Sequence, residues 1–115
     1  MSSHVDTDNL NMLKELIGDD LKEILQAYLD TAPGLIGNIE HALSSGDQEQ
    51  LRLHSHSLKG SSANIGANGL SIYCSKLEQM AKDNNIGPDA SSLFSSIKHE
   101  NQTVEQFLQN FMNQM

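Results

Sequence analysis

Residues 21–43 read LKEILQAYLDTAPGLIGNIEHAL, and their apolar positions decide the fold class. Leu21, Ile24, Leu25, Tyr28, Leu29, Ala32, Leu35, Ile36, Ile39 and Leu43 recur at steps of three and four, the spacing that stacks side chains on one face of an α-helix. Pro33 and Gly34 interrupt the series without shifting its phase. The spacing therefore predicts one long helix with a bend or local loosening at the proline, which lacks a backbone donor and crowds the preceding turn.

The same periodicity extends outward in both directions, and strand-like alternation is absent over any useful length. Upstream, Leu10, Leu13, Leu16 and Ile17 predict a short helix over 9–17, capped by Asp8 or Asn9 and closed by Gly18. Asp19 or Asp20 then caps the long helix, predicted over 20–44. Ser44-Ser45-Gly46-Asp47 is a stop followed by a cap, and Leu51, Leu58 and Ile65 mark a third helix over 47–65. Gly66-Ala67-Asn68-Gly69 breaks the chain before Leu70, Tyr73, Cys74, Leu77, Met80 and Ala81, a fourth helix over 68–83. Asp83-Asn84-Asn85-Ile86-Gly87-Pro88 ends it. Leu93, Phe94, Ile97, Val104, Leu108, Phe111 and Met115 line the last helix, over 89–114. Short links between amphipathic helices make neighbours antiparallel. The expectation is an all-α protein, an antiparallel up-down four-helix bundle with a short additional N-terminal helix, as one domain over 1–115.

Composition agrees and removes several functions. Only 4% of the 115 residues are aromatic and none is Trp, so the core must be built from Leu, Ile, Ala and Met, which favour helices. The net charge of -8 repels phosphate backbones, so neither a nucleic-acid partner nor an anionic membrane is expected. The charge is uneven. From Asp47 to Asp83 four acids (Asp47, Glu49, Glu78, Asp83) meet four bases (Arg52, Lys59, Lys76, Lys82), which leaves the whole excess outside that stretch. An incoming anion is repelled least there. The chain opens Met1-Ser2-Ser3-His4-Val5-Asp6, without the basic start and apolar run of a signal peptide, and no later stretch has the roughly 18 apolar residues of a membrane span. A cytoplasmic, monomeric protein is the expectation; its initiating Met and self-contained bundle favour a free-standing protein over a domain of a larger hybrid kinase. The single cysteine, Cys74, sits at helical spacing among apolar residues and reads as core.

Chemistry must come from the polar faces, and five histidines are available: His4, His41, His54, His56 and His99. On a helix His54 and His56 point about 160° apart, so they cannot grip one ion together. The series Leu51, Leu58, Ile65 sets His54 on or beside the buried face and His56 on the exposed one. Three and four residues further on, beside His56 on the surface, stand Lys59 and Gly60. A glycine in a helix interior costs about 1 kcal/mol relative to Ala. Its benefit here is clearance for another protein next to an exposed imidazole, while Lys59 can place an ammonium beside an anionic oxygen. Ser61, Ser62 and Ala63 keep the following turn small.

The stretch His56-Ser57-Leu58-Lys59-Gly60-Ser61-Ser62-Ala63-Asn64-Ile65-Gly66-Ala67 resembles the central motif of histidine-containing phosphotransfer (HPt) domains of multistep phosphorelay, or two-component, signalling. It departs from that pattern at Ser55, where the family usually has Ala. The resemblance extends more weakly through Leu70, Cys74, Leu77 and Glu78. It implies that His56 is the phospho-acceptor, that Lys59 steadies the phosphoryl group, that Gly60 gives the partner access, and that Glu78 orients the imidazole through Nδ1, leaving Nε2 to attack. Glu78 could equally be a solvated surface acid. Leu53, three residues before His56, and Ser57 and Ser61 are candidates for partner docking, although Leu53 could also be a boundary residue of the bundle. The implied partners are response-regulator receiver domains or a hybrid sensor histidine kinase, and the implied protein is a phosphocarrier without autokinase activity.

No Walker-type loop or dinucleotide fingerprint is present, and no cofactor of its own is expected. Mg²⁺ for phosphoryl transfer has no carboxylate cluster near His56 in sequence and is expected from the partner receiver. The competing expectation is a helical bundle that binds a metal or haem, or a structural adaptor, through His54 or His41 with Cys74 or a methionine. No His pair at i and i+4 and no Glu-x-x-His pair supports it.

Overall fold

The computed structural model describes residues 5–115, and every regular element in them is helical: α1 Thr7–Ile17, α2 Asp20–Ser45, α3 Gln48–Asn64, α4 Asn68–Lys82 and α5 Pro88–Asn113. Helix α2 packs on α3, α3 on α4 and α4 on α5, and α5 returns against α2, which closes a four-helix ring with α1 laid on α2. The expected bundle with its short leading helix is therefore present. Antiparallel pairing of α3 and α4 is visible at one end, where Gln48 at the start of α3 donates from Nε2 to the Ala81 carbonyl near the end of α4, at 2.9 Å.

Helix ends follow local chemistry and shift the expected bounds by at most two residues. The first cap is Asp6, not Asp8 or Asn9: its carboxylate accepts from the Asn9 N–H at 3.1 Å, so α1 starts two residues early. Asp19 precedes α2 without a side-chain cap bond, whereas Asp47 caps α3 by accepting from the Gln50 N–H at 3.1 Å. Pro88 opens α5 at its first position, where a missing N–H costs nothing. Helix α2 runs unbroken through Pro33, which lies on its exposed side.

The buried stripe of α2 is narrower than its apolar face. Leu21, Leu25, Tyr28, Ala32, Ile39 and Ala42 are buried, while Ile24, expected in the core, is 45% exposed. Leu16 of α1 is likewise 73% exposed, because so short a helix resting on one neighbour covers only one side. One buried polar pair ties α2 to α5: the Tyr28 hydroxyl donates to Asn101 Oδ1 at 2.6 Å. Burial, with Cys74 and Glu105 adding repulsion, raises the Tyr28 phenol well above its usual range, so it stays a neutral donor.

The turn between α3 and α4 determines how the site's two helices meet. Gly66 there adopts φ +78°, and a Cβ on it would lie 3.2 Å from the Asp6 Cβ. The chain before α1 is held at this point by the Asp6 N–H donating to the Gly66 carbonyl at 2.8 Å.

Candidate functional site

Helix α3 has little hydrophobic surface, and its inward face alternates Leu51, Ser55, Leu58 and Ser62, all fully buried. The two serines are the positions that an apolar count passes over. They correct the expectation for His54, which is only half-buried and bonds Gln50 Oε1 at 3.0 Å; the inward residue of that turn is Ser55. Small side chains also let α4 come close, so that Ser71 of α4 donates its hydroxyl to the Lys59 carbonyl of α3 at 3.2 Å. The Lys59 carbonyl accepts from Ser62 Oγ too, at 3.1 Å.

On the outer side of this tight pair, His56 of α3 has a side chain 60% exposed, and its Nδ1 lies 3.0 Å from Glu78 Oε2 of α4. A carboxylate can only accept, so Nδ1 is the donor in this contact. Glu78 is not a solvated surface acid: its side chain is 6% exposed. Burial alone would raise its carboxyl. Hydrogen bonds and charge from Lys59 and His56 outweigh that and hold it below the usual 4.5, so it is ionised. Lys59 Nζ lies 2.7 Å from Glu78 Oε1, and Lys82 Nζ, one turn along α4, lies 3.6 Å from Oε2.

Four side chains from two helices thus form one cluster: an imidazole facing solvent, a carboxylate beneath it and two ammonium groups around the carboxylate. Nothing lies within 4 Å of where a Gly60 side chain would begin, so the fold does not require glycine there. The opening beside the imidazole is real space.

A family model described as "Hpt domain" matches residues 23–114 of the chain. This chain belongs to the Hpt domain family. It is a phosphotransfer domain, as the motif from His56 to Ala67 leads one to expect. Among curated relatives, histidine-containing phosphotransfer protein 4 of Arabidopsis thaliana is 29% identical over 93 residues, covering 79% of this chain and 72% of that protein. The phosphorelay intermediate protein rdeA of Dictyostelium discoideum is 27% identical over 89 residues, 77% of this chain but only 35% of that longer protein. The crystal structure of histidine-containing phosphotransfer protein B from Pseudomonas aeruginosa PAO1 superposes with a TM-score of 0.93 at 27% identity, covering 100% of this chain and 99% of that one. The HPT domain of a Shewanella sensor hybrid histidine kinase shares the fold, with a TM-score of 0.83 at 21% identity over 97% of this chain and 96% of that one.

The Hpt domain brings His56, Lys59 and Glu78 of the expected site together, with Gly60 open beside them. Leu53 is 43% exposed, and Ser57 and Ser61 are half-buried on the same helix. Lys82 is the member of the cluster that sequence reasoning missed. The signal was available, since Lys82 stands four residues after Glu78 on one helix. Cys74 is buried, and desolvation pushes its thiol up to about 12, so it is an inert core residue. His41 and His54 do line one pocket with Asp47, but among the described residues no group of three His, Cys, Asp or Glu side chains could hold a metal ion. His4 lies outside the described residues. No helix among them is long and apolar enough to cross a membrane.

Proposed function

We propose that this Hpt domain, a phosphotransfer intermediate by family, accepts a phosphoryl group on Nε2 of His56 from a receiver-domain aspartyl phosphate and passes it to a second receiver. The single observation that carries the assignment is the bond from His56 Nδ1 to the nearly buried Glu78, in a side chain otherwise open to solvent. It orients the ring and fixes its tautomer before a partner arrives. As the Nε2 lone pair attacks phosphorus, the bond from phosphorus to the acyl oxygen breaks and the receiver keeps the carboxylate. The ring gains positive charge in that step, and a carboxylate at 3.0 Å stabilises it. Lys59 steadies the phosphoryl oxygens, and Gly60 admits the receiver's active-site loops.

The same geometry supports a carrier without autokinase activity, with no nucleotide-binding motif in the chain. The Mg²⁺ of such a transfer would be held by the receiver, which also brings the aspartyl phosphate. Leu53, Ser57 and Ser61 flank His56 and would meet the receiver in a modest, transient interface, as exchange of partners requires. A cytoplasmic monomer fits such an exchange.

The test is incubation with a labelled phospho-receiver. Acid-labile, base-stable label should appear on the wild-type domain and vanish with His56→Gln, while His54→Gln remains labelled. Label persisting on His56→Gln would refute the assignment.

A further inference from the structure

Glu78 holds three partners, and its two lysines belong to different helices. Lys59 lies on α3, three residues after His56; Lys82 lies on α4, four residues after Glu78. Each lysine is the helical neighbour of one group in the pair that crosses between the helices. In the resting domain Lys59 makes the closer contact, 2.7 Å against 3.6 Å. Two ammoniums then surround the one carboxylate beneath the ring. A phosphoryl group brings roughly two negative charges to the far side of the ring, and the cation able to turn towards it is Lys59, which shares the helix of His56. That movement would leave a carboxylate only 6% exposed without its nearer counter-ion.

We infer that Lys82 is a positioning residue that takes over Glu78 when Lys59 turns to the phosphoryl group. The inference rests on the proposed role of His56. Lys82 is suited to the exchange because its side chain is 49% exposed and free to move, while its backbone sits one turn from the carboxylate it must reach. With Lys82 present, Glu78 stays ionised, keeps its bond to Nδ1 and releases Lys59. With Lys82 gone, Glu78 retains Lys59, and the phosphoryl group loses its cation.

The experiment compares transfer from a labelled phospho-receiver to the wild-type domain, Lys82→Met, Lys82→Arg, Glu78→Gln and the double variant Lys82→Met/Glu78→Gln. Loss of a half-exposed ion pair should slow transfer about two- to fivefold in Lys82→Met. The arginine variant should restore the rate. In the Glu78→Gln background the methionine change should cost almost nothing, since a neutral amide needs no counter-ion. An equal loss in both backgrounds would mean that Lys82 touches the phosphoryl group itself, steers the receiver, or merely supports the fold, and would overturn the inference. No loss in either would do the same. If the wild-type domain takes no label on His56, the functional reading fails and this role fails with it; label with unaltered kinetics in Lys82→Met removes Lys82 alone.

Discussion

Replacing Ser55 with Ala should stabilise the domain, although Ser55 is fully buried and adjoins the phospho-acceptor. Its hydroxyl is the one buried side-chain polar atom among the described residues without a hydrogen-bond partner. A desolvated, unpaired hydroxyl costs about 1–3 kcal/mol, and Ala exceeds Ser in helix propensity by roughly half a kcal/mol. Loss of one oxygen leaves too small a void to offset these gains. The expected net effect is about 1–2 kcal/mol, or roughly 4–8 °C in Tm for a chain of this size. Ser62, two turns on, is the control. It is equally buried, but its hydroxyl donates to the Leu58 carbonyl at 2.7 Å. Ser62→Ala should lose a bond worth about 1 kcal/mol, partly offset by propensity, and so fall slightly below wild type. Thermal melting by circular dichroism, with urea unfolding as a second measure, decides between signs. If Ser55→Ala is neutral or destabilising, the hydroxyl has a partner after all and the reasoning fails.

Gly60 separates fold from function, because a Cβ there meets nothing within 4 Å: Gly60→Ala should raise stability by about 1 kcal/mol, whereas Gly60→Gln should fold and yet slow phosphotransfer, read by melting and label transfer on the same samples. Gly66→Ala should do the reverse in stability, since φ is +78° and the new methyl would press on Asp6; a loss of about 1–2 kcal/mol in urea unfolding is expected. Below pH 4.5 the wild-type domain should lose stability that Glu78→Gln does not, because a carboxyl held below its ordinary value favours folding above that value and loses this as pH falls through the folded one; urea midpoints against pH report it. Cys74, with its thiol at about 12, should resist a thiol reagent at neutral pH in the native domain and react once the chain is unfolded.

The helices were legible because apolar residues at steps of three and four cannot satisfy any other local structure. What was lost lay where burial and hydrophobicity part company. Ile24 and Leu16 are apolar yet exposed, since the number of neighbours around a helix, not its own pattern, determines how wide a stripe is covered. Ser55 and Ser62 are polar yet buried, because α4 approaches α3 over small side chains; their places four and eleven residues after Leu51 were the available clue. His56, Lys59 and Gly60 were legible as helical neighbours. The link to Glu78 needed the family resemblance, because it crosses between helices 22 residues apart in sequence. Lys82 escaped since no motif names it.

The site and the α3–α4 packing are one structure. Helix α3 carries a glycine, four serines and an unpaired buried hydroxyl within the twelve residues from Leu51 to Ser62, and an isolated helix of that composition would be poorly populated in water. It persists because α4 covers its inner face, and α4 is also where Glu78 and Lys82 reside. Any change that loosens this pair therefore removes the base of the imidazole along with part of the core. Substitutions at Leu58 or Leu77, both fully buried, should consequently impair phosphotransfer even under conditions in which most molecules remain folded. Changes of equal energetic cost in α1, which packs on α2 away from this pair apart from the contact at Gly66, should lower stability and leave the transfer rate of the folded fraction unaltered.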